Sequence, residues 1–114
     1  MRNPYPPSES TELGATAGAA AAAVAPGALE RLEQLRALIA ENDRASVQLL
    51  NRRLELVAEI WREKDKSGLT HADPERERLL LQQLAETNDG PLSQEGLAFF
   101  HGVLLSLTKQ ELRR

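Results

Sequence analysis

The sequence predicts an all-α protein with three helices per chain, assembled as an intertwined helical homodimer. Apolar residues recur at helical spacing from Ala28 onward, and no segment alternates with the period of two that is typical of strands. Neither Pro nor Gly interrupts residues 28–67, which predicts a very long first helix. The chain contains no cysteine, so its stability must come from packing or from oligomerisation.

The first 27 residues differ in composition from the rest of the chain. They combine a Pro/Ser-rich start with an Ala/Gly run, and we interpret residues 1–27 as a disordered tail and residues 28–114 as the domain. Arg2 leads into prolines and glutamates, which is not the pattern of a secretory signal. The Ala run is too short and too weakly apolar to span a bilayer. We therefore expect a soluble, cytoplasmic protein without a membrane contact, and the net charge of −3 argues against nucleic acid as a partner.

The first predicted helix is too long for a chain of this size. Nearly 40 residues at 1.5 Å each extend over about 57 Å, which exceeds the size of a small globule. Such a helix cannot bury its apolar stripe within its own chain. A second copy of the chain is therefore expected to cover it.

Two shorter helices are predicted after the first. Gly68 marks the end of the first helix, and Asp73 with Pro74 provides an N-cap and a first helical position for the second. This second helix is expected to continue to about Thr87. After the turn in "NDGPLSQEG", Ser93 is the candidate N-cap of a third helix that reaches the C-terminus.

Cations interrupt the apolar stripe of the first helix. Arg53 and Lys64 share a face with Leu50, Val57 and Ile60, and this face has no carboxylate near the cations. Burying the two charges without a counterion would be costly, so a ligand is the predicted anion. About three turns, or about 16 Å, separate Arg53 from Lys64, which allows both long side chains to reach one compact dianion.

The other two helices also have polar residues on faces that are otherwise apolar. Asp73, Arg76 and Glu77 begin the second helix, and Ser106 and Gln110 lie on one face of the third. Taken singly, each has a simple structural explanation, such as a solvated ion pair, a hydroxyl bonded to the preceding turn or a frayed helix end. Taken together, they indicate a polar site between helices.

Four segments, "LEQLRALIAENDRASVQLLNRR", "EIWREK", "DPERERLLLQQL" and "LLSLTKQEL", closely resemble the all-α, AroQ-type chorismate mutases. The resemblance covers nearly all of residues 30–112 and includes the charged residues as well as the leucines. It implies an intertwined dimer that catalyses the Claisen rearrangement of chorismate to prephenate, in phenylalanine and tyrosine biosynthesis.

Eight positions match the family's site. They are Arg36, Arg53, Lys64, Asp73, Arg76, Glu77, Ser106 and Gln110. By resemblance, the three arginines help to hold the two carboxylates of chorismate. Lys64 and Gln110 bond the ether oxygen, and Glu77 with nearby main chain holds the ring hydroxyl. Arg36 lies about 25 Å from Arg53 along a straight helix, so that any contribution it makes must come from the other subunit.

The implied reaction needs few kinds of chemical group. A concerted rearrangement requires no nucleophile, proton transfer, metal or cofactor, so none is predicted. His71 and His101 have no partner at metal spacing and receive no role. The enzyme must instead select the compact conformer of the substrate and stabilise charge as the C–O bond breaks.

There are three alternative functions. An isochorismate pyruvate lyase is disfavoured by Glu77, which the versions of that enzyme known to us lack. A 4-amino-4-deoxychorismate mutase of an antibiotic pathway stays open, because the Glu77 carboxylate can receive an amino group as readily as a hydroxyl. A non-catalytic helical dimer that binds a partner protein is the third alternative. The sequence also leaves open regulation by phenylalanine or tyrosine and an enzyme partner from the shikimate pathway.

Overall fold

A computed structural model describes residues 25–114, and this part of the chain consists of three α-helices without a strand. Helix α1 covers Ala28–Lys66, α2 covers Pro74–Thr87 and α3 covers Gln94–Leu112. The predicted all-α chain with a very long first helix is therefore confirmed. The predicted tail, residues 1–27, lies outside the described residues except for its last three positions.

The chain divides into two units, Met1–Leu49 and Leu50–Arg114, and α1 contributes to both. In the described part of the first unit, every residue from 29 to 49 is exposed. Large apolar side chains are included, with Leu38 57%, Ile39 61% and Val47 58% exposed. Burial of apolar surface stabilises a protein by about 25 cal/mol per Å², and surface that stays in water does not contribute this stabilisation. The first unit thus has no core of its own in its described residues.

A Schellman motif ends α1. The Leu69 amide donates to the Lys64 carbonyl over 2.8 Å, and the Gly68 amide donates to the Asp65 carbonyl over 3.3 Å. Gly68 has a φ of +69°, a conformation that glycine adopts without steric cost. The predicted stop at Gly68 is confirmed, and the motif turns the chain sharply toward α2.

Side-chain caps begin α2 and α3. The Asp73 carboxylate accepts from the Arg76 amide over 3.3 Å, with Pro74 at the start of α2. The Ser93 hydroxyl accepts from the Gly96 amide over 2.9 Å at the start of α3. Both predicted N-caps are confirmed.

The most buried residues of the second unit lie on α3, which packs against α2. They are Gly96, Leu97, His101 and Thr108. Leu97 is the one buried hydrophobic residue among residues 25–114. Two of the four residues on this inner face are therefore polar. None of the helices in this range is long and apolar enough to cross a membrane.

Candidate active site

Arg53 crosses from α1 to the buried face of α3. Its Nη1 donates to Thr108 Oγ1, and the Thr108 hydroxyl donates in turn to the Leu104 carbonyl over 2.7 Å. Thr108 is only 4% exposed. Burial lowers the pKa of the Arg53 guanidinium, and the Glu77 carboxylate opposes part of this shift. The Arg53 side chain is thus fixed within the second unit, with further guanidinium N–H groups left for a ligand.

Lys64 is the second cation from α1, and its side chain is only 19% exposed. Its Nζ donates to the His71 carbonyl over 3.1 Å and lies 3.9 Å from Asp73 Oδ2. The sequence suggested that a ligand alone would neutralise this cation, but the N-cap of α2 supplies a nearby carboxylate. Because an ammonium group has three donors, the Lys64 ammonium retains capacity for a ligand.

The loop between α1 and α2 is held in place by His71. Its ring stacks on Trp61 with centroids 4.2 Å apart and an interplanar angle of 18°. His71 Nε2 lies 2.7 Å from Asp65 Oδ1. These contacts fix the carbonyl that accepts from Lys64. No role for His71 is predicted from the sequence, because an isolated histidine gives no signal until the Schellman turn brings it back onto the last turns of α1.

Glu77 forms an ion pair with Lys109, a residue for which the sequence predicts no role. Lys109 Nζ lies 3.6 Å from Glu77 Oε1, and the two side chains are 45% and 33% exposed. Asp73 caps the N-terminus of α2, and Glu77 lies in the first turn of this helix. Lys64 therefore lies near the Asp73 carboxylate, while Lys109 and the Arg53 charge lie near the Glu77 carboxylate.

His101 is a second buried polar residue near the cluster. It is 3% exposed, and its Nε2 has no hydrogen-bond partner among the described residues. Burial and the Arg53 charge lower the pKa of the imidazole, and the Glu77 carboxylate offsets part of that effect. Its seven-residue spacing from Thr108 is the sequence signal for its position, because this spacing returns to the same face of α3.

Ser106 and Gln110 lie on a different face of α3. Both are exposed, and each is two residues from Thr108, or about 200° around the helix. Neither side chain forms a hydrogen bond or an ion pair within residues 25–114. A single chain therefore does not bring these two predicted residues to the cluster around Arg53.

The two remaining predicted arginines are also exposed. Arg76 contributes its amide to the Asp73 cap, but its side chain is solvent-facing in the single chain. Arg36 lies in the first unit, where its Nη1 is 3.5 Å from Glu33 Oε2 and its side chain is 60% exposed. Of the eight predicted residues, Arg53, Lys64, Asp73 and Glu77 thus form the cluster in one chain.

This cluster defines a class of protein. It has cationic donors from two helices, partly shielded from water and only loosely paired with carboxylates, which is suited to binding a small anionic molecule. The described part of the chain is thus all-helical and has a cluster of cations whose chemistry fits such a ligand.

Comparison with known proteins identifies the family. The family model described as chorismate mutase type II matches residues 35–111. Among solved structures, the chain is similar to chorismate mutase (Form I) from Thermus thermophilus, with 32% identity and a TM-score of 0.67 over 68% of this chain and 98% of that chain. No curated protein matches the chain significantly. The chain belongs to the chorismate mutase type II family, and it is an isomerase.

Proposed function

We propose that this chain catalyses the Claisen rearrangement of chorismate to prephenate as an intertwined homodimer with two shared active sites. The observation that carries the proposal is the position of Arg53 and Lys64 near two carboxylates at the start of α2, where each cation keeps donors for a ligand. Chorismate has two carboxylates, and such a dianion is matched by cations held at fixed positions.

The described geometry suits a reaction without covalent catalysis. The Arg53 guanidinium can hold a carboxylate with two parallel hydrogen bonds, which favours the compact conformer that reacts. The Lys64 ammonium can donate to the ether oxygen, where negative charge develops as the C–O bond breaks. Both cations are anchored before substrate arrives, so little reorganisation is needed during the reaction.

The proposed dimer follows from the exposed α1 helix. The described first unit leaves Leu38, Ile39 and Val47 more than half exposed, and a second chain of the same kind would bury them. In such a dimer the partner's α1 would supply Arg36 to the cluster around Arg53. The site would then be complete only when two chains associate.

The function is tested by the loss of chorismate absorbance with the purified protein. We expect turnover, and Arg53→Ala and Lys64→Ala should each lower kcat/KM by at least a hundredfold. Arg52→Ala is the matched control, because Arg52 is 63% exposed and lies 3.6 Å from Glu55 outside the cluster. An absence of turnover at micromolar enzyme would refute the proposal.

The shared site is tested by mixing subunits. Arg36→Ala and Arg53→Ala subunits, denatured and refolded together, should form mixed dimers in which one of two sites is intact. Random pairing predicts recovery of about a quarter of the wild-type activity. Each variant refolded alone is the control, and no recovery in the mixture would exclude a site shared between chains.

Ser106 and Gln110 are assigned to the proposed site only because of the family resemblance. If Gln110 donates to the ether oxygen, Gln110→Glu should shift activity toward acid pH, because only a protonated carboxyl group can donate. An unchanged pH profile would remove Gln110 from this role. The cytoplasmic location and a shikimate-pathway enzyme as partner stay predictions.

A further inference from the structure

The Lys109–Glu77 pair concerns the question that the sequence leaves open, namely the ring substituent of the substrate. In the proposed site, Glu77 accepts a hydrogen bond from that substituent. A carboxylate alone would accept an ammonium group at least as well as a hydroxyl. The structure, however, places Lys109 Nζ 3.6 Å from Glu77 Oε1 and the Arg53 charge within electrostatic reach of the same carboxylate.

We propose that Lys109 makes Glu77 selective for a neutral hydroxyl on the substrate ring and disfavours substrates whose ring carries an ammonium group there. This inference rests on the proposed function, because it takes Glu77 as the group that holds the ring substituent. Lys109 acts on specificity through its charge.

The selectivity follows from the distances. A substrate ammonium group bonded to Glu77 Oε1 at about 2.8 Å would lie within about 6.4 Å of Lys109 Nζ. Two like charges at that separation, near a partly shielded surface, repel enough to weaken binding by about tenfold to a hundredfold. A hydroxyl carries no charge and experiences no such repulsion. The negative charge of Glu77 is already compensated by the protein, so a second cation at that carboxylate gains less.

A solvated surface pair is the simpler interpretation of the same contact. Half-exposed ion pairs contribute little to stability, so exposure alone does not separate the two interpretations. The position of Lys109 does favour a role in the site. It directly follows Thr108, which anchors Arg53, and it pairs with the carboxylate whose charge raises the pKa of Arg53.

The test compares two substrates in the same enzyme preparation. The ratio of kcat/KM for 4-amino-4-deoxychorismate to that for chorismate is measured for wild type, Lys109→Met and Lys109→Gln. We expect this ratio to rise at least tenfold in both neutral variants. If the amino compound is not converted, its inhibition constant (Ki) against chorismate is measured instead. The ratio of this Ki to the KM of chorismate should then be at least tenfold lower in the neutral variants than in wild type. Because both substrates are compared within each variant, a loss of folded protein cancels.

Two controls distinguish charge from a general effect of substitution. Lys109→Arg keeps the cation and should keep the wild-type ratio. Lys66→Met removes a lysine of another ion pair, in which Lys66 Nζ lies 3.2 Å from Glu63 Oε1 and both side chains are at least 70% exposed, and should also leave the ratio unchanged.

The inference is overturned if both neutral variants keep the wild-type ratio, or if wild type prefers the amino compound. Failure of the proposed function would look different, because wild type would then convert neither substrate.

Discussion

Thr108 is the residue whose substitution tests most directly how Arg53 is held. Thr108→Val keeps a branched side chain of similar size but removes the hydroxyl that accepts from Arg53 and donates to the Leu104 carbonyl. A hydrogen bond to a charged group contributes about 1.5–3 kcal/mol, and the partial exposure of Arg53 favours the lower end. We expect the free energy of unfolding to fall by about 1.5 kcal/mol. We expect kcat/KM for chorismate to fall about tenfold, since the guanidinium loses its fixed orientation.

Thr108→Ser provides the matched control. It keeps the hydroxyl and loses one buried methyl group, which costs about 0.8 kcal/mol. Both variants are compared with wild type by denaturant unfolding at one fixed protomer concentration and by initial rates of chorismate loss. Serine should retain near-wild-type kcat/KM, whereas valine should not. If the two variants have the same kcat/KM, the hydroxyl does not hold Arg53 in its working position.

Three further substitutions test other parts of the structure. Gly68→Ala should lower the free energy of unfolding by about 1 kcal/mol, because alanine resists a φ of +69° even though its Cβ would contact nothing, and Gly68→Asn should cost less. The pKa of His101 is lowered in the folded chain. As the pH falls below the ordinary value of 6.5, the unfolded chain therefore binds the proton first and the free energy of unfolding decreases. His101→Gln should lack this part of the decline in denaturant unfolding at several pH values. Ile39→Ser should weaken self-association in sedimentation experiments, whereas Arg44→Ser on another face of α1 should not.

Specific outcomes would contradict each of these expectations. Equal stability of wild type and Gly68→Ala would mean that the loop relaxes without its left-handed residue. An identical decline in stability below pH 6.5 in wild type and His101→Gln would exclude His101 as its source. Equal sedimentation of the Ile39 and Arg44 variants would mean that the apolar side of α1 is not where chains meet.

The helices could be predicted closely because their ends depend on local chemistry. Asp73 and Ser93 cap the helices that follow them, and Gly68 ends α1, through hydrogen bonds within a few residues of each position. The length of α1 followed from the absence of Pro and Gly over residues 28–67. Such signals require no knowledge of how the helices pack.

The contents of the cluster were harder to predict, because they depend on how each helix is rotated. The leucines of α3 occur on several sides, so periodicity does not define its buried face uniquely. The structure turns His101 and Thr108 inward and leaves Ser106 and Gln110 exposed in one chain. Lys109 could not be predicted, since nothing near it in sequence indicates a contact with Glu77 on α2.

Lys64 links the architecture of the α1–α2 connection to the position of a charge. Its main-chain carbonyl accepts from Leu69 in the Schellman turn, while its ammonium group donates to the His71 carbonyl two residues further on. Lys64 thus holds both ends of the three-residue segment from Leu69 to His71. Inserting or deleting even a single residue there would displace the ammonium group while leaving the three helices intact. Surface connections usually tolerate changes in length, but this one sets the position of the ammonium group that the proposed mechanism requires.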